Sequence, residues 1–193
     1  MAKAEPVTGL NTQASTRENA RIITHTKLNE LYNWQAYTDQ PHAQKELHHM
    51  RIAAKRLRYT LEIFEDVLPA ECASAQKEMK QVQEELGLLH DSDVMITMLQ
   101  LCLTKQHDSS NGQTSQKEQK EQKKRAKLLL PPDLLPILLA ANSAPNTEQR
   151  LGLEQLLRRV EQEREKHYQD FYQHWQHLQE QDFRQHLSTA LDR

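Results

Sequence analysis

Apolar residues along most of this chain recur in alternating steps of three and four, the spacing of helices that each bury one stripe. The clearest stripe, Leu47, Met50, Ala54, Leu57, Leu61, Phe64 and Leu68, predicts a helix from about Ala43 to Val67 that Leu68-Pro69 ends. Upstream, Ile22, Leu28, Leu31 and Trp34 mark a rougher stripe on a helix from Thr16 to about Thr38, broken by Asp39-Gln40-Pro41. A third helix, about Glu71 to Lys105, carries Ala75, Met79, Val82, Leu86, Leu89, Ile96 and Leu103, and its register between Leu89 and Ile96 falls on Asp93. The last long helix runs from Thr147 to about Glu180. Its stripe is Leu153, Leu157, Val160, Arg164, Phe171, Trp175 and Leu178, and Phe183 and Leu187 extend it after a bend.

Four long helices with shorter ones between them predict an all-α, antiparallel helical bundle. Residues 1–15 read as a flexible lead and 16–188 as a single helical domain. A polar, low-complexity stretch at about 107–126 interrupts it and is expected to be a disordered linker. Pro131, Pro132 and Pro136 break the apolar segment from Leu128 to Ala141, which predicts a short capping helix. Composition fits this picture: only four glycines and three phenylalanines leave little for a sheet, and a mean hydropathy of −0.86 suits narrow apolar stripes. No stretch reads as the roughly 18 apolar residues of a membrane span, and the N-terminus lacks the apolar run of a signal peptide. Cys72 and Cys102 stand in no metal or redox motif, so a reduced, cytoplasmic protein is expected.

Charge changes the reading of the second helix. His48, Arg51, Lys55 and Arg58 follow the apolar positions one residue later, about 100° around the axis, and Arg56 and Tyr59 widen this stripe. A plain solvated face would interleave acids. Between Leu47 and Thr60 there is no Asp or Glu, although the chain as a whole carries a net charge of −2. Cations crowded in this way repel one another, and a multivalent anion would relieve that repulsion.

Three further positions carry chemistry. Arg164 takes a stripe position where leucine is expected, either snorkelling or facing a polar groove, with Arg158 and Arg159 placed to extend a basic wall. Asp93, beside Asp91, should be paired on an inner face, and Arg51 or Arg58 is the expected partner it would brace. His174 and His177, three apart and on a face with His167, lack a carboxylate or cysteine at metal-ligand spacing, so no metal site is predicted. His90-Asp91 is similar to the dipeptide of metal-dependent phosphohydrolases, whose chemistry also needs ligands a dipeptide cannot supply. No nucleophile with an adjacent base and no glycine-rich phosphate loop occurs.

Two blocks resemble the CHAD domain family. Leu47 to Tyr59 is similar to its His-x-x-Arg-x-x-x-basic-basic-x-Arg helix, and Leu86-Gly87-Leu88-Leu89-His90-Asp91-Ser92-Asp93-Val94 to its Leu-Gly-x-x-basic-Asp-x-Asp-Val segment. The region of Phe171, Trp175, Leu178 and Phe183 looks like the family's closing helix, more weakly. The resemblance implies a non-enzymatic helical bundle, without cofactor, that binds inorganic polyphosphate through His48, Arg51, Lys55, Arg56 and Arg58. Arg158 and Arg164 are expected to add to that surface, and association with polyphosphate granules in the cytoplasm follows as an expectation. Family members commonly hold two such bundles, and this chain has one, which implies a homodimer. His90 stands where the family often has arginine, and no Glu-x-Glu-x-Lys motif of a companion triphosphate-tunnel domain occurs. The alternatives are a nucleic-acid-binding bundle, for which only Tyr59 offers a stacking platform near the cations, a phosphohydrolase using His90 and Asp91, and a scaffold for an acidic partner.

Overall fold

The structure is a computed structural model that describes residues 4–104, 126–127, 129–130, 133 and 145–193. Helices are the only regular elements among the described residues: α1 (Thr16–Tyr32), a short 3-10 turn (Gln35–Tyr37), α2 (Gln44–Ile63), α3 (Cys72–Thr104), α4 (Thr147–Glu180) and α5 (Phe183–Leu191). The all-α expectation is met. The expected linker at about 107–126 lies, but for Ala126, outside the described residues, as does most of the expected capping helix from Leu128 to Ala141.

Local chemistry sets the helix ends. Ser15 caps α1 through a reciprocal box: its hydroxyl accepts from the Glu18 amide at 3.2 Å, and the Glu18 carboxylate accepts from the Ser15 amide at 2.9 Å. Asn146 and Gln149 repeat the device at α4, at 2.8 and 3.0 Å. Asp182, at φ 49°, sits in the left-handed region and turns the chain between α4 and α5. Two boundaries differ from the sequence reading. α1 stops at Tyr32 and gives way to the 3-10 turn, and α2 stops at Ile63, with Phe64 to Leu68 in turns closed by the Leu68 amide on the Phe64 carbonyl at 2.9 Å. Leu68 precedes Pro69, and proline disfavours helical backbone in the residue before it.

Contacts divide the chain into two compact units. The first holds residues 1–87 and 167–193. α1 packs on α2 there, and α5 touches α1. Leu47, Met50, Ala54, Leu57 and Leu61 of α2 are buried with Leu28 and Leu31 of α1, Met79, Val82 and Leu86 of α3, and Phe171, Trp175 and Leu178 of α4. Trp175 is fully enclosed and tilts against Tyr32 at 5.4 Å between ring centroids, while the Tyr168 hydroxyl donates to the Thr38 carbonyl at 2.9 Å. The segment before α1, read from sequence as a flexible lead, is tied to α1: Lys27 donates to the Glu5 carbonyl at 3.3 Å and Asn33 to the Glu5 carboxylate at 2.6 Å.

The second unit, residues 88–166, has its own apolar clusters. Ile96, Leu99 and Val160 pack with Leu153 and Leu157, and Leu101, Ala126 and Leu130 with Val94 and Met98. Against the sequence expectation, the stretch Cys72–Leu103 is long and apolar enough, by length and composition alone, to cross a membrane. Its apolar window is 44% buried within the protein, and the core helix of a bundle satisfies the same criteria.

Candidate anion-binding site

The site begins on α2, where the buried seam fixes the orientation of every cation. Ala53 and Ala54, both buried, keep that side of the helix slim where it meets its neighbours. Arg51, Lys55 and Arg58 each follow a core position and line one flank of the seam, with His48 a turn earlier. Lys55 is exposed, and His48, Arg51 and Arg58 are half-buried. The Tyr59 ring lies beneath two of these cations, 4.5 Å from the Arg58 guanidinium carbon and 5.5 Å from Lys55 Nζ.

Arg51 rests on α3. A Cβ built on Gly87 would lie 3.5 Å from Arg51 Nε and 3.9 Å from its Nη2, so the second sequence block meets the first at this point. The Nε atoms of Arg51 and Arg58 are both buried and make no hydrogen bond with a described residue. Neither side chain, nor that of Lys55, has a carboxylate within ion-pair distance among the described residues.

Arg56 behaves differently, which revises its place in the stripe. Five residues on from Arg51, it sits about 140° around the helix, on the opposite flank of the seam and facing α1. There it forms an ion pair with Glu30, a carboxylate only 4% exposed that also receives Lys27 at 3.0 Å. His49 shares this flank. Its ring lies 4.9 Å from Trp34, and burial, aided by the charges of Lys45 and Arg56, holds its pKa below the ordinary value.

In the second unit, Asp93 is 1% exposed and its carboxylate accepts from Arg164 Nε at 2.6 Å. This corrects two expectations. Asp93 pairs with Arg164, where Arg51 or Arg58 was the expected partner, and Arg164 is buried in that pair instead of lining an open wall. A charge on each stripe is the physical reason: two helices that each place an ionised group at a core position satisfy both by facing them. Arg158 and Asp91 are exposed, and His90 is half-buried.

Sequence reasoning missed the surroundings of His174. Its Nδ1 lies 2.8 Å from Glu85 and its Nε2 3.0 Å from Glu78, so both nitrogens donate when the ring is charged. The Glu85 hydrogen bond, with Glu78 assisting against burial, raises its pKa above the ordinary 6.5. Partners 89 and 96 positions away leave no local spacing to read. Among the described residues, no group of three His, Cys, Asp or Glu side chains is arranged to hold a metal ion.

No curated protein and no solved structure gives a significant match to the chain. Residues 6–100 match the family model of the CHAD domain. The match covers α1, α2 and most of α3, taking in both the basic block and the Leu86–Val94 block that Arg51 and Gly87 bring together. Over residues 6–100, 95 of its 193 positions, the chain is similar to the CHAD domain family.

Proposed function

We propose that this protein binds inorganic polyphosphate, without catalysing a reaction on it, through the flank of α2 that carries His48, Arg51, Lys55 and Arg58. One observation carries the reading. Arg56 and Arg164 are neutralised by buried carboxylates, whereas Arg51, Lys55 and Arg58 crowd one flank with no acid among the described residues paired with them. An uncompensated row of cations repels itself, and a polyanion running along it removes that cost and gains charge-assisted hydrogen bonds. Successive turns lie about 5.4 Å apart, on the order of two phosphoanhydride repeats, so a phosphate chain laid along the helix meets one cation after another. CHAD domains are polyphosphate binders as a family, which supports the same reading.

A homodimer, whose twofold axis repeats the same patch, would bring two such flanks to one ligand. Two free cysteines, one of them buried, suit a reducing cytoplasm where polyphosphate granules form.

The test is titration of labelled long-chain polyphosphate at low and high salt, beside single-stranded DNA and an Arg51→Glu, Arg58→Glu double variant. Charge-assisted hydrogen bonds are worth about 1.5–3 kcal/mol each, so losing two should weaken binding by about a hundredfold or more. Wild-type affinity should fall steeply as salt rises. Equal affinity for DNA, or a variant that binds as wild type does, would overturn the reading.

A further inference from the structure

Glycine in the middle of a long helix needs a reason, since it is the least favourable helix residue apart from proline. At Gly87 the backbone supplies none: its φ is not positive, and the position lies well inside α3. The reason is packing. Gly87 is buried, and among the described residues, apart from its chain neighbours and the nearby backbone of its own helix, a Cβ placed there would meet within 4 Å Nε and Nη2 of Arg51 alone. The space that a side chain at position 87 would fill is the space the Arg51 guanidinium occupies.

Arg51 also lacks the device that fixes Arg56 and Arg164. Arg56 is held by Glu30 and Arg164 by Asp93, each through an ion pair that cancels its charge. Among the described residues Arg51 has no acid within ion-pair distance, and its Nε is buried without an acceptor. Its position is therefore set by what it lies against.

We propose that Gly87 is a positioning residue for the anion-binding flank: the bare backbone of α3 is the floor on which Arg51 rests, and the size of residue 87 sets whether the guanidinium presents itself to a phosphate chain. This rests on the polyphosphate reading above. A neutral, side-chain-free support defines the position of Arg51 without neutralising it, which an ion pair cannot do. Such preorganisation lowers the ordering cost of binding.

A size series tests this. A Cβ at 3.5 Å is in ordinary contact, so Gly87→Ala should leave Arg51 nearly in place and weaken binding by about twofold. The γ and δ carbons of Gly87→Leu must enter the guanidinium's space, and the loss should approach that of Arg51→Ala, about tenfold or more. The slope of log affinity against log salt should flatten by about one phosphate contact. In an Arg51→Ala background, Gly87→Leu should change nothing further.

Circular dichroism establishes that each variant is folded, and the Arg51 Nε–Hε resonance reports the position directly. It should be shielded from solvent exchange in wild type and exposed in Gly87→Leu. Wild-type binding by Gly87→Leu, an equal loss in the Arg51→Ala background, or an Nε–Hε signal indifferent to residue 87 would each overturn the proposal. If wild type itself fails to bind polyphosphate, the functional reading falls, and the Nε–Hε signal still decides whether Gly87 positions Arg51.

Discussion

Replacing Asp93 by asparagine should cost the protein a large part of its stability while leaving polyphosphate binding nearly untouched. Asp93 is 1% exposed and Arg164 8%, with 2.6 Å between carboxylate and Nε, so the substitution takes the compensating carboxylate charge from a buried guanidinium. Removing one partner of a buried ion pair costs about 3–5 kcal/mol. The asparagine amide keeps an acceptor oxygen toward Arg164, which places the loss at the low end, about 3 kcal/mol. Folded domains have about 5–15 kcal/mol in total, so the change is easily seen as a fall in the urea midpoint at constant slope. For a chain of this size it corresponds to a melting temperature lower by about 6–12 °C. The companion variant, Asp93→Leu with Arg164→Met, removes both charges and should come within about 1 kcal/mol of wild type, because an apolar pair of similar volume pays no desolvation. Asp93→Asn within 1 kcal/mol of wild type, or a double variant less stable than either single one, would refute the reasoning. A double variant that folds but loses polyphosphate affinity would return Arg164 to the ligand-binding set.

His174 makes stability depend on pH in a definite direction. Its folded-state pKa is raised, so the stabilisation is fully present below the unfolded value near 6.5 and lost as pH rises through the folded value. The stability difference between wild type and His174→Gln, measured by urea denaturation across that range, should shrink with rising pH, and a flat difference would contradict the charged imidazole between Glu78 and Glu85. Two adjacent cations on α2 should respond in opposite ways. Arg56→Met removes one of the two cations that face buried Glu30 among the described residues, leaves Lys27, and should cost about 1–3 kcal/mol with little change in polyphosphate affinity. Lys55→Gln relieves repulsion from Arg51 and Arg58, about 0.2–0.5 kcal/mol for each pair, and gives up its exposed contact with Tyr59, so stability should hold while affinity falls. Ser15→Ala removes the α1 cap and should cost about 1 kcal/mol by the same denaturation assay.

Much of the fold was legible because each helix buries one stripe and announces it. α4 runs from Thr147 to Glu180 as its periodicity predicts, and α3 begins at Cys72, within a residue of the predicted start. The boundaries that moved, Tyr32 and Ile63, are places where turn hydrogen bonds compete with one more helical turn, and a periodic pattern does not register that competition. Periodicity also fixes which face a residue takes without saying what it meets. Asp93 and Arg164 both read as polar groups in core positions, but they are 71 residues apart, and nothing local distinguished that pairing from one with Arg51 or Arg58. The His174 cluster was hidden for the same reason, with each acid on α3 and the ring on α4. Gly87 stood inside a recognised block, and its reason for being glycine emerged only where α2 meets α3.

The division of labour among the α2 cations follows from a single geometric fact. A buried seam has two flanks, and on this helix one of them is packed against α1. A cation on that side is drawn into the interior and needs a buried acid, which Glu30 supplies to Arg56. A cation on the other flank keeps its charge, at the cost of repulsion from its neighbours. Counting basic residues in the block therefore overstates the binding surface, since Arg56 contributes to it no more than its net, neutralised pair does. The useful quantity is the number of cations left uncompensated after folding, because a polyanion gains most from charges that the protein has not already satisfied. On the proposed polyphosphate reading, the flank of Arg51, Lys55 and Arg58 is where binding free energy would concentrate, and what holds those side chains in place, Gly87 beneath one and Tyr59 beneath the others, would matter as much as the charges themselves.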